Sequence, residues 1–314
     1  MNREELHQRV TDLEANIGSV VLGKPEVVRY CLVALLSGEH LLLEDVPGVG
    51  KTLVGKALAR SIHGRFCRLQ FTPDLLPSDI VGSSVYDAKN HEFSFNQGPI
   101  FANVVLADEI NRAPPRTQSA LLEAMSDRQV SADGLTHSLP QPFIVIATQN
   151  PYEYEGTYPL PESQLDRFLL RISIGYPDRD HERQVLQTHR HGEPVDKLEA
   201  VLNDQDVLQL QQAVGDVRVD EAVSEYLLDI VDATRNHEDL HVGVSTRGAL
   251  NLYRAAQAAA FLAGRDFVVP DDIKQLAPAV LAHRVIPRGY VQGTRARETE
   301  QLIEQLVEQV VVPV

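Results

Sequence analysis

Lys51 and Thr52 follow a turn built on Gly48 and Gly50, and that turn follows the apolar run Leu41-Leu42-Leu43. This order of residue types suits the grip of a nucleoside triphosphate. Glycines let the backbone take φ > 0, so that successive amide N–H groups point at phosphate oxygens. A lysine ammonium then reaches the β- and γ-phosphates, and a threonine hydroxyl becomes a ligand for Mg2+. Pro47, Gly48, Val49, Gly50, Lys51, Thr52 and Leu53 are therefore the candidate loop for the phosphates of ATP. The usual pattern is G-x-x-x-x-G-K-[ST]; here Asp45 stands at its first glycine. The expectation for Asp45 is a tight turn and no further role.

Downstream, Val104-Val105-Leu106-Ala107 runs into Asp108-Glu109. An apolar strand ending in two carboxylates, after a glycine-lysine loop, fits a Walker B element. Strand ends gather at one edge of a parallel sheet, which brings Asp108 beside Thr52 as a second Mg2+ ligand and turns Glu109 toward the attacking water. The competing reading of the pair is a solvated strand end or a helix start. Another buried run, Phe143–Ala147, leads to Asn150. An amide there can hold the water by donating and accepting, although Asn150-Pro151 taken alone reads as a turn. Arg167, beside Asp166, is either half of a surface ion pair or a planar, permanently charged finger for the γ-phosphate of a neighbouring subunit. Arg247 opens an alanine-rich helix after Ser245-Thr246. It either forms a salt bridge or swings with its domain onto bound phosphates.

The elements that must position these groups alternate in type. Leu6, Val10, Leu13 and Ile17 mark an amphipathic helix in the first twenty residues. A second helix follows from Pro25 to Ser37, and a third spans Thr52–His63. Leu41–Leu43, Phe66–Phe71, Val104–Ala107, Phe143–Ala147 and Phe168–Ile174 read as five buried strands with helical crossovers, which predicts a doubly wound parallel α/β sheet. Alternating apolar and polar residues around Ala88-Lys89-Asn90 predict an inserted β-hairpin, and Gln129–Pro140 predicts a second that turns at Asp133-Gly134. After Tyr176-Pro177-Asp178 strand signals stop, and six helices up to Thr294–Val312 predict a separate α-helical domain.

The chain has 314 residues, enough for one large and one smaller domain with an ample core. Its two cysteines, Cys31 and Cys67, lie in or beside apolar segments, so buried thiols in a reducing cytoplasm are expected rather than a disulfide. No stretch approaches 18 consecutive apolar residues, and no secretory leader is legible, so no membrane span is expected. A formal charge of −15 and the absence of tryptophan disfavour a surface that coats nucleic acid.

Taken in order, these motifs resemble an AAA+ ATPase. The segments Asp108-Glu109-Ile110-Asn111-Arg112-Ala113-Pro114-Pro115, Thr117–Met125, Phe71-Thr72-Pro73-Asp74-Leu75-Leu76-Pro77-Ser78-Asp79 and Ala147-Thr148-Gln149-Asn150-Pro151 closely resemble the MoxR family, within the helix-2-insert clade. The resemblance implies a P-loop AAA+ core with a five-stranded parallel sheet, followed by an all-α lid domain. It implies an N-terminal helix over 1–20, a nucleotide-binding domain over 21–177 and a lid over 178–314. The insert falls at 83–97 and a pre-sensor-1 hairpin at 129–140. It makes Lys51 and Thr52 Walker A, Asp108 and Glu109 Walker B, Asn150 sensor 1, Arg167 the arginine finger and Arg247 sensor 2. Adenine is expected near Val21, Leu22 and Gly23. Arg112 stays ambiguous between a second trans-acting arginine and a brace for its own loop. Members are typically hexameric rings that hydrolyse ATP with Mg2+ to mature or activate partner complexes, commonly beside a von Willebrand factor A domain protein. A nucleic-acid motor and the ATPase subunit of a metal chelatase are the alternatives.

Overall fold

The computed structural model describes residues 3–87, 91–151, 156–289 and 296–313. In chain order the elements are α1 (Arg3–Gly18), α2 (Pro25–Leu36), β1 (Leu41–Glu44), α3 (Lys51–Ser61), β2 (Phe66–Gln70), α4 (Pro77–Val81), β3 (Gly82–Asp87), β4 (Glu92–Gln97), β5 (Val104–Asp108), α5 (Pro115–Asp127), β6 (Gln129–Ala132), β7 (Leu135–Ser138), β8 (Ile144–Gln149), α6 (Glu162–Leu165) and β9 (Leu170–Ile172). Then follow α7 (Arg179–Thr188), α8 (Asp204–Gly215), α9 (Glu221–Asn236), β10 (Leu240–Val242), α10 (Thr246–Leu262), α11 (Pro270–Leu281), β11 (Ile286–Pro287) and α12 (Ala296–Gln309).

The five apolar runs form one sheet in the order β2-β5-β8-β1-β9, every neighbouring pair parallel. Both faces are covered, which is why β5 and most of β8 read as unbroken apolar runs rather than alternating ones. One face packs against α4 and α5, the other against α1, α2 and α3. His40, at the entry to β1, is buried as a neutral ring. Its Nδ1 accepts from the Val145 N–H, which leaves Nε2–H to donate to the Met125 carbonyl. Burial lowers its pKa to about 4.

The expected helical part follows the sheet and packs closely on it. A single apolar cluster runs from Val10, Leu13 and Ile17 of α1 through Leu32 and Leu35 of α2 to Leu210, Leu252 and Ile303 of the C-terminal helices. Polar contacts follow the same route. Asn16 Nδ2 donates to Ser61 Oγ and to the Glu199 carbonyl, and Arg9 pairs with Asp206 at 2.6 Å. The α1–α2 pair thus cements the helical part to the sheet. The departure from an all-α part is β10, which pairs antiparallel with β11 between helices. Strands of three and two residues are too short to show a period of two.

Both expected hairpins are present. β3 pairs antiparallel with β4 from Gly82↔Gln97 to Asp87↔Glu92; the turn at Ala88-Lys89-Asn90 lies outside the described residues, as does Thr294. β6 pairs with β7 across Asp133 and Gly134, whose φ values of 51° and 77° suit a tight hairpin turn. The hairpins touch: Phe95 stacks on His137 with ring centroids 3.9 Å apart. Cys31 and Cys67 are free thiols, and burial pushes Cys31 up to about 12. No helix among the described residues is long and apolar enough to cross a membrane.

Candidate active site

Because β1, β5 and β8 are parallel neighbours, their C-terminal ends deliver Asp45, Asp108 and Asn150 to one edge of the sheet. A cleft of about 820 Å³ opens there. Every residue from Pro47 to Leu53 lines it, together with Asp108 and Glu109. Gly48 and Gly50 have φ of +88° and +96°, and a Cβ built on either meets no atom within 4 Å. Gly50 is also the N-cap of α3, and no side chain caps that helix. Its first-turn N–H groups are therefore available to an anion, reinforced by the helix dipole. Lys51 Nζ donates to the Asp45 carbonyl at 2.9 Å. Among the described residues no cluster of three or more His, Cys, Asp or Glu side chains could hold a metal by itself. Thr52 and Asp108 suit a divalent cation that takes its remaining ligands from phosphate and water, the usual manner of Mg2+.

Asp45 does far more than make a turn. Its Oδ2 accepts from Ser173 Oγ and from the Ile174 and Gly175 N–H groups at 2.7–2.9 Å, while Oδ1 accepts from the Val46 N–H at 2.8 Å. The carboxylate thus ties the phosphate loop to the segment leaving β9, and that segment lines the cleft through Ile174, Tyr176 and Pro177.

Asp108 and Glu109 are gripped from the edge strand β2. Asp108 Oδ2 accepts from Arg68 Nη2 at 2.6 Å and Nε at 3.1 Å, and Oδ1 accepts from Thr148 Oγ1 at 2.6 Å. Glu109 sits in the left-handed region at φ 57°, held by a donor from Gln70 Nε2 at 2.8 Å and by Arg112 Nε at 3.2 Å. Arg112 therefore braces the glutamate of its own chain. Sequence reasoning missed Arg68 and Gln70. The available signal was a pair of polar residues two apart near the end of a strand, which must share one face.

Four expected site residues lie outside the cleft lining. Val21 and Leu22 line it, whereas Gly23 does not: its φ is +70°, and a Cβ there would meet His181 Cγ at 2.5 Å. Apolar lining comes instead from Val20 and from Val185 and Leu186 of α7. Asn150 is buried at the end of β8 beside Gln149, which bonds Glu44. Arg167 Nη1 donates to the Leu122 carbonyl. Arg247 stands in the first turn of α10, whose N-cap Ser245 accepts from the Gly248 N–H, and its guanidinium lies 4.0 Å from Asp166. Arg247 is thus a neighbour of Asp166, the residue that precedes Arg167 in the chain, while the Arg167 guanidinium itself is held by Leu122.

Comparison with known proteins agrees with this architecture. Residues 40–170 match the ATPase family associated with various cellular activities (AAA), and residues 232–306 match the AAA lid domain. Chaperone MoxR1 of Mycobacterium tuberculosis is 45% identical over 276 residues, covering 85% of this chain and 73% of that protein. The chain belongs to the MoxR family of AAA+ ATPases. An uncharacterised Bacillus subtilis protein, YeaC, is 49% identical over 99% of this chain and 97% of its own length. A crystal structure from Cytophaga hutchinsonii superposes with a TM-score of 0.90 at 37% identity, covering 99% of this chain and 97% of that one. Membership of that family implies nucleotide binding.

Proposed function

We propose that this MoxR-family ATPase hydrolyses ATP in Mg2+-dependent fashion at sites completed between subunits, in a ring that is most economically a hexamer, and uses the turnover to remodel partner protein complexes. One observation carries this reading. The phosphate loop, Asp108 and Glu109 converge on a single cleft, whereas Arg167, bonded to the Leu122 carbonyl, and Arg247, 4.0 Å from Asp166, lie outside its lining. An arginine finger that lies outside the cleft of its own subunit is placed to serve a neighbour's. Thr52 and Asp108 would hold the cation, which when bound neutralises charge on the phosphates. Glu109 would take the proton of the attacking water, and Asn150 would orient that water. In this reading the chain divides into a helical N-terminus over 1–20, a nucleotide-binding part over 21–177 and a lid over 178–314, packed on one another. A cytoplasmic setting and a von Willebrand factor A domain partner for the unidentified client fit the family.

The test uses two substitutions. Glu109→Gln is expected to bind ATP, lose turnover by about 10²-fold or more and hold a stable ring on size-exclusion chromatography with light scattering. Lys51→Ala is expected to bind no nucleotide at micromolar concentrations. Unimpaired turnover in Glu109→Gln would remove that residue as the base.

A further inference from the structure

Arg68 occupies a position that the reaction, as described so far, does not use. It lies on β2 in register with Leu106 of β5, two residues before Gln70, which is in register with Asp108. Residues two apart on a strand share a face, and Phe66, on that same face, lies where a Cβ on Gly55 of α3 would meet its ring. Arg68 is therefore aimed at the α3 side of the sheet, the side of the phosphate loop, and it lines the cleft.

Its guanidinium spans the Asp108 carboxylate oxygen Oδ2 with two donors, at 2.6 and 3.1 Å, and also donates to Gln70 Oε1 at 3.0 Å. The other carboxylate oxygen is bound to Thr148. Both oxygens of Asp108 are thus already engaged by donors of the protein. Oδ2 carries two donors and has no lone pair to spare, whereas Oδ1 carries one, so a cation that seats on Oδ2 does so only after a donor of Oδ2 withdraws. Thr148 is fully buried and its hydroxyl also accepts from the Glu109 N–H, so it has nowhere to go. The Arg68 side chain is 49% exposed on a long, rotatable stem at the wall of an open cleft. Arg68 is the partner able to leave.

We propose that Arg68 is a built-in cation at the metal seat, which competes with the divalent cation for Asp108 and so sets how much of it the site demands. This rests on the reading of Asp108 as a metal ligand. The guanidinium offers the Asp108 charge the same compensation as the cation, and the two cannot share Oδ2. Once displaced, Arg68 remains at the wall of the cleft that receives the phosphates, where a positive charge is not wasted.

The experiment titrates Mn2+ into the full chain saturated with ADP and follows free Mn2+ by electron paramagnetic resonance, for the unmodified protein, Arg68→Gln and Asp108→Asn. Arg68→Gln is expected to bind Mn2+ roughly threefold to tenfold more tightly, the scale of a half-exposed but two-pronged ion pair, while Asp108→Asn loses the site. Thermal melting without nucleotide checks that Arg68→Gln folds as the unmodified chain does. Equal or weaker Mn2+ affinity in Arg68→Gln, with the site still dependent on Asp108, overturns the competition and leaves the metal reading standing. Mn2+ binding indifferent to Asp108→Asn overturns the metal reading, and the competition falls with it.

Discussion

At the scale of single residues, the candidate site turns on carboxylates whose partners are strongly directional. Asp45 is 7% exposed and accepts four hydrogen bonds, three of them from backbone N–H groups. Asp45→Gly would restore the general phosphate-loop pattern yet leave those buried donors unpaired. It is expected to lower stability by about 2–4 kcal/mol and to weaken nucleotide binding, measured by denaturant unfolding and a fluorescent nucleotide titration. A variant as stable as the parent would return Asp45 to the role of a simple turn residue. The phosphate loop, Asp108 and Glu109 were legible because each is a local pattern. The grip of Asp45 on the strand exit was not, since its partners lie as far as 130 residues away. Arg68 left only a weak trace, a charged residue inside a strand.

At the scale of elements, β1 is anchored through His40, and the anchor carries a pH dependence. The folded pKa is lowered to about 4 by burial from an ordinary value of 6.5. The unfolded chain therefore binds the proton more readily between those values, and the stabilisation is complete above about pH 6.5 and lost as pH falls toward 4. Burial also drives His283 well below its ordinary value, in the same direction. Denaturant unfolding at pH 7 and pH 5 should show a loss at the lower pH to which His40 contributes about 2 kcal/mol as a ceiling. His40→Gln should lose stability at pH 7 and show a shallower fall; an identical slope would contradict the assignment. The hairpin inserted after α4 is rooted by two facing glycines. A Cβ on Gly98 would meet the Ile80 carbonyl oxygen at 2.3 Å and the Gly82 nitrogen at 2.4 Å. Gly98→Ala is expected to displace the hairpin while sparing nucleotide affinity, read by limited proteolysis beside a binding titration. Alternation made β3 and β4 readable, and Asp-Gly made β6 and β7 readable, whereas β10 and β11 fell below the length at which a period emerges.

At the scale of the whole molecule, the helical part holds the arginine-bearing segment directly. Arg284, in the turn that follows α11, donates through Nε to Asp166 Oδ1 at 2.8 Å and through Nη2 to the Asp166 and Phe168 carbonyls, so it clasps the chain on both sides of Arg167. Any movement of the C-terminal helices would thereby reach the segment that carries Arg167, the proposed finger. The continuous core through α1 and α2 argues that such movement is a shear between packed helices rather than the opening of a free hinge. None of this was readable from the sequence, because a lone arginine gives no sign of a partner 118 residues away. The central claim is that catalysis is shared between subunits, and ATP turnover of Arg167→Ala, Glu109→Gln and their mixture tests it most directly. Each variant alone should fall by about 10²-fold or more. The mixture should regain turnover, because some interfaces then pair an intact Glu109 with an intact Arg167. Full activity of Arg167→Ala alone, independent of protein concentration, would contradict the account.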